Sequence, residues 1–180
     1  KAWLWCRRRP AIAGLLTVLF VVIVAGSLLF NERQNASYAS GLVDSLVKAH
    51  VEQVPDLVRE RGSYRRWTDP LLRQRFTAAR DGSVEQLFLR LALLPVDTSH
   101  AAKLQEELLV RETKYLGAIR DGLQPYQGQF IDMLWETFHD KQQSADRRFR
   151  AGLAMASYAT DSQLWNPEDH SFLAEQLVGA

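Results

Sequence analysis

The chain has 180 residues, 47% hydrophobic and 24% charged, with 22 Lys and Arg against 21 Asp and Glu. Without Lys1 and Arg7–Arg9 the rest carries 18 Lys and Arg against 21 acids, which does not suggest a nucleic-acid binder, and a single cysteine, Cys6, excludes an intramolecular disulfide. The length suffices for one domain with its own core, and no Gly/Ser- or Pro-rich linker interrupts it.

Residues 1–10 read Lys-Ala-Trp-Leu-Trp-Cys-Arg-Arg-Arg-Pro. The next twenty, 11–30, hold no charge and no proline. As a helix they span ~30 Å, the thickness of a bilayer's hydrocarbon core. A signal peptide carries a shorter apolar stretch, roughly 7–15 residues, and a core helix in so small a chain shows a polar side. The run therefore predicts a transmembrane helix over 11–30. Lys1, Arg7, Arg8 and Arg9 precede it, whereas Glu32 and Arg33 after it cancel. The positive-inside rule makes 1–10 a cytoplasmic juxtamembrane segment and 31–180 extracytoplasmic, in a single-pass protein of the cell membrane. Trp3, Trp5, Arg7, Arg8 and Arg9 are the expected membrane-interface residues, with the lipid bilayer as partner. Cys6 beside them reads as an inert interfacial residue, with palmitoylation as the alternative.

Beyond the span, 31–40 is polar and helix-compatible, a connector continuing the membrane helix outward. Asn35-Ala36-Ser37 matches a glycosylation sequon, a triplet common by chance. From Gly41 the pattern is short amphipathic helices. Leu42, Val43, Leu46 and Val47 share one face, and Val54, Leu57 and Val58 the next. Pro55 suits a first turn and Gly62 a helix end. Asp69-Pro70 reads as a cap followed by proline at the first helical position. Ser83 with Gln86 reads as a capping box opening the helix of Leu87, Phe88 and Leu91, which Pro95 closes.

The pattern then restarts, with Thr98 or Ser99 as cap. Leu42 falls on Leu104 at an offset of 62 residues, Leu46 on Leu108, Tyr64 on Tyr126, Leu72 on Leu134, Phe76 on Phe138 and Ala92 on Ala154. The matching positions are those that face inward, as stacked repeats require. The expected fold is all-α: one transmembrane helix, then an α-solenoid of short repeats, with repeat 1 over 41–98 and repeat 2 over 99–162. At 163–180, Ala-Glu-Gln-Leu-Val echoes Glu-Glu-Leu-Leu-Val at 106–110 and reads as a third repeat cut through.

No catalytic constellation emerges. His50, His100, His139 and His170 are not at metal-ligand spacing, and no glycine-rich phosphate loop or nucleophile elbow is present. Catalytic, cofactor-binding and metal-binding residues are each expected to be none. Tyr64-Arg65-Arg66-Trp67 is a basic-aromatic cluster, a candidate surface for headgroups or a partner, although packing of Tyr64 and Trp67 at a helix corner is the plainer reading.

The segment 1–10, followed at once by the Ala/Gly/Leu/Val-rich span, resembles the juxtamembrane signature of planctomycete-type bacterial membrane proteins that carry a Hanks-type serine/threonine protein kinase on the cytoplasmic side. Leu91-Ala-Leu-Leu-Pro-Val-Asp at 91–97, Ile119-Arg-Asp-Gly-Leu-Gln-Pro-Tyr at 119–126 and Arg148-Phe-Arg-Ala-Gly-Leu-Ala at 148–154 resemble the HEAT-like stretch that follows the span. The resemblance implies an ATP-binding kinase upstream and, in many relatives, a formylglycine-generating (sulfatase-modifying) enzyme-like domain downstream. No kinase motif lies within the 180 residues, so it carries over no catalytic residue. The function expected is a membrane anchor plus an exported interaction scaffold for a protein or cell-envelope partner. The alternatives are a small-molecule sensor and a spacer that holds a distal enzyme away from the membrane.

Overall fold

The computed structural model describes residues 10–179, with side chains from Val18 to Val178. Among them every regular element is helical and no strand forms. Trp3, Trp5, Arg7, Arg8 and Arg9 lie outside the described residues.

Helix α1, Pro10–Lys48, runs 39 residues without a break. Its side chains from Val18 to Phe30 are exposed around the whole circumference. The Ser27 hydroxyl donates to the Ile23 carbonyl at 2.8 Å, so the one polar side chain there is satisfied within the helix. Further along, Ala39, Val43 and Leu46 recur at helical spacing and are buried. The stretch from Val18 to Phe30 is thus bare, and the C-terminal part of α1 contributes to the core. Over the described residues no helix is long and apolar enough to cross a membrane. The side chains of 11–17, the first seven of the apolar run, lie outside the description.

After a 3-10 turn at Val51–Gln53 come α2 (Val54–Arg61), α3 (Arg65–Ala78) and α4 (Val84–Leu93). Then follow α5 (His100–Val110), α6 (Thr113–Leu123), α7 (Ile131–His139), α8 (Ala145–Tyr158) and α9 (Pro167–Gly179). Several helix boundaries repeat at 62 residues, although α3 and α7 end 61 apart and α4 and α8 end 65 apart. α1 stops at Lys48 and α5 at Val110, 62 residues on; α2 stops at Arg61 and α6 at Leu123; and 3-10 turns begin at Gly62 and at Gln124. α3 lies against α1 and α4, α6 against α5, and α8 against α7 and α5. The fully buried Leu72, Leu104, Leu108, Ile119 and Leu134 anchor one continuous apolar cluster.

Several local expectations are corrected. Pro70 does not open a helix: α3 begins five residues earlier, at Arg65, and carries Pro70 inside it. Without an N–H, Pro70 leaves the Arg66 carbonyl without its ladder partner, while burial of Thr68 and Leu72 fixes the turns on either side. Asp69 caps nothing and pairs instead with the buried Arg61 guanidinium. Gly62 does cap the end of α2, as expected, but in the right-handed region at φ −49°, and the chain goes on through a 3-10 turn into α3. Ser99 precedes α5 without a side-chain capping bond. The 40/41 boundary falls inside α1, because Ala39 already packs into the core.

Other termini follow their residues. The Ser83 hydroxyl accepts from the Gln86 N–H at 3.1 Å, and Ser144 accepts from Arg147 at 3.3 Å. Gly82 holds φ +70°, the left-handed region that glycine enters without a side-chain clash, and turns the chain between α3 and α4. Asn166 and Asp169 cap α9 reciprocally: each side chain accepts the other's backbone N–H, at 3.0 and 3.1 Å. The far end of α9 leaves Leu177 and Val178 exposed, Val178 by 90%.

Candidate functional site

The basic-aromatic cluster folds onto α1. α3 begins at Arg65, directly after the 3-10 turn of Gly62–Tyr64. Its first turn faces the point where α1 changes from apolar to polar. The Trp67 indole N–H donates to Glu32 Oε1 at 3.0 Å. Arg66 Nη2 reaches the same oxygen at 3.3 Å, and its guanidinium carbon stands 5.6 Å from the Trp67 ring centre. The Tyr64 ring lies 4.8 Å from Tyr38, one and a half turns further along α1. The Tyr38 hydroxyl donates to Glu60, and that carboxylate holds the phenol above its ordinary pKa.

Two of the four residues are therefore tied inward and two face out. Tyr64 and Trp67 are half-buried, while Arg65 and Arg66 are exposed. Higher on the same pair of helices Arg75 pairs with Asp44. α3 thus runs beside α1 in the same direction, with its N-terminal turn between the levels of Glu32 and Tyr38. The cluster can offer fixed guanidinium groups beside amphipathic rings; it holds no nucleophile or general base.

The histidines stay apart. His100 sits edge-on to Phe76 at 4.9 Å, and burial lowers its pKa. His139 Nε2 lies 3.2 Å from Asp169 Oδ2 and stacks on Trp135, so it ties α7 to α9. His170 stacks on Trp165. Among the described residues no His, Cys, Asp and Glu group could hold a metal. A groove of about 440 Å³ opens between the two helical passages, lined by Val54, Pro55, Val58, Leu91 and Ala118, with Arg59 and Asp121 on its lining.

Sequence reasoning missed the acceptor that positions the cluster. Glu32 and Trp67 are 35 residues apart, and no periodicity links them. The only sequence signal was a polar residue two places past the end of the apolar run.

Compared with known proteins, the chain matches no protein-family model, no curated protein and no solved structure.

Proposed function

We propose that this chain is the membrane anchor and exported helical-repeat scaffold of a larger protein. The observation that carries the reading is the double character of α1. One unbroken helix is bare and apolar on every side from Val18 to Phe30, then buries Ala39, Val43 and Leu46 in the folded domain. A helix apolar all round, with its backbone bonds satisfied internally, suits lipid and not water. The sequence extends that run back to Ala11, giving twenty residues. The basic flank at Lys1 and Arg7–Arg9 favours a cytoplasmic N-terminus and an extracytoplasmic domain.

The repeat part of the reading is supported by the 62-residue interval between the ends of α1 and α5 and of α2 and α6, and by the buried pairs Leu46 and Leu108, Leu72 and Leu134, and Ala92 and Ala154 that share it. Stacked units of this kind form an α-solenoid with an extended face for a protein or cell-envelope partner. The parent we propose is a receptor-like bacterial serine/threonine protein kinase. Only the resemblance at 1–10 and along the exported helices carries that step.

Two tests separate the parts. The full chain, expressed in cells, should stay with membranes through alkaline carbonate extraction, and protease added from outside should digest residues after Asn31. Release by alkali would end the anchor reading. The native reading frame upstream of Lys1 should encode a kinase lysine, a catalytic loop and an Asp-Phe-Gly motif; their absence would remove the kinase and leave a tethered repeat protein.

A further inference from the structure

We infer that the first turn of α3 is a second membrane contact, in which Arg65, with Arg33 of α1, binds the headgroups of anionic phospholipids. The inference rests on the anchor reading above and fixes how the domain sits on the bilayer.

The argument is one of height. Trp67 and Arg66 share Glu32 as acceptor and the Tyr64 ring packs on Tyr38, so the start of α3 lies between the levels of those two α1 residues. Glu32 is two residues beyond Phe30, the last of the apolar run. At 1.5 Å per residue that is ~3 Å outside the hydrocarbon. A headgroup layer occupies roughly 5–7 Å on each face, the difference between total and hydrocarbon thickness shared by two sides. Tyr38 stands ~12 Å out, so in a bilayer that α1 crosses the first turn of α3 spans the headgroup layer and its water-facing edge, within reach of an arginine side chain. Asp44 and its partner Arg75 stand ~21 Å out on the same scale, in water.

The chemistry at that height is suited to lipid. Tyr64 and Trp67 present amphipathic rings of the kind found at membrane interfaces. Arg33, Arg65 and Arg66 are exposed, Arg66 by 76% of its side chain. The acids nearby are engaged. Glu32 takes Trp67 and Arg66, Glu60 takes Tyr38, and Asp69 takes Arg61. Among the described residues no acid lies within ion-pair reach of Arg33 or Arg65. Two guanidinium groups without a partner, Arg33 next to Glu32 on α1 and Arg65 on the turn that Trp67 docks against it, are available for bidentate phosphate contacts.

The test uses the full chain in vesicles of phosphatidylcholine with or without phosphatidylglycerol. A nitroxide is attached at Ser63→Cys or at Gln74→Cys, each in a Cys6→Ser background, and its accessibility to a water-soluble nickel chelate is measured. The label at 63 should be shielded several-fold relative to that at 74, and more strongly with phosphatidylglycerol. Arg33→Gln with Arg65→Gln, which touches neither bond to Glu32, should remove the lipid-dependent part while the melting temperature holds. Equal accessibility at 63 and 74, in a chain that resists alkaline extraction, overturns the inference and leaves the anchor standing. Shielding that is the same in both lipids, or unmoved by the double variant, overturns the recognition of anionic headgroups. A chain released by alkali overturns the anchor itself, and the contact with it.

Discussion

Gly152 of α8 lies against the ring of Phe138 in α7, so close that a Cβ there would stand 2.6 Å from Cε2 and 2.7 Å from Leu173 Cδ2 of α9. Three helices meet at this one point without room for a methyl group. Phe138 is fully buried and cannot swing away. Gly152→Ala should therefore lower stability by about 1–3 kcal/mol, against the usual gain from replacing a helical glycine. Gly122→Ala is the control. Its Cβ would meet only Leu91 Cδ2, at 2.8 Å, on the wall of the groove, where the leucine tip has space to turn. That variant should melt within a few degrees of the parent. Thermal unfolding of the two in the same detergent checks the contrast.

Leu72 and Leu134 occupy matching places in α3 and α7, and each is 0% exposed. Aspartate at either place buries a charge with no partner, at about 3 kcal/mol or more. Leu72→Asp and Leu134→Asp should each abolish cooperative unfolding or lower its midpoint sharply. Wild-type melting in both would mean that these inward faces are misassigned.

The buried Arg90 stands 3.7 Å from Glu107 and 5.5 Å from the centre of the Phe76 ring. Glu107 also lies 3.5 Å from Arg111, which has other partners in the carbonyls of Gly82 and Ser83. Arg90 therefore depends on Glu107 more than Arg111 does. Glu107→Ala should cost about 3–5 kcal/mol by leaving a buried charge uncompensated. Adding Arg90→Met should return most of it. A double-mutant cycle by urea unfolding reads the coupling; independent effects would show that the two side chains do not rely on each other.

His100 supplies a pH dependence. Burial lowers its pKa, with Arg90 adding to the effect and Asp97 opposing it. The unfolded chain then takes up this proton first, near pH 6.5, and the folded chain only at lower pH. Stability is full above that value and should fall as pH drops through it towards the folded pKa. His100→Gln should flatten the curve between pH 7.5 and 5 relative to the parent, as measured by unfolding midpoints at each pH.

The all-helical class and most helix ends were legible because local signals produce them. Ser83, Pro55 and Pro95 act within a few residues of where they stand. The inward faces followed from spacing alone, since Leu46, Val54, Leu72, Leu108, Leu116 and Leu134 are all buried. Pro70 misled because its local preference was outweighed by tertiary packing of Thr68 and Leu72 in the same helix. The tie between Trp67 and Glu32 was illegible for a related reason: it is made across two helices by one hydrogen bond, and hydrogen bonds leave no period. The reciprocal cap of Asn166 and Asp169 is a short-range pair, made within the first turn of α9.

α1 passes from Pro10 to Lys48 as one α-helix, continuing through Gly14, Gly26 and Gly41 with no interior proline and no 3-10 step. Such a rod has no swivel. A torque applied to the folded domain would be transmitted through the bare segment as rotation of its whole length, and a pull as piston displacement. A partner that turns the domain by a given angle therefore turns the opposite end of the helix by nearly the same angle. Inserting two glycines between Phe30 and Glu32 would uncouple the two ends without removing either.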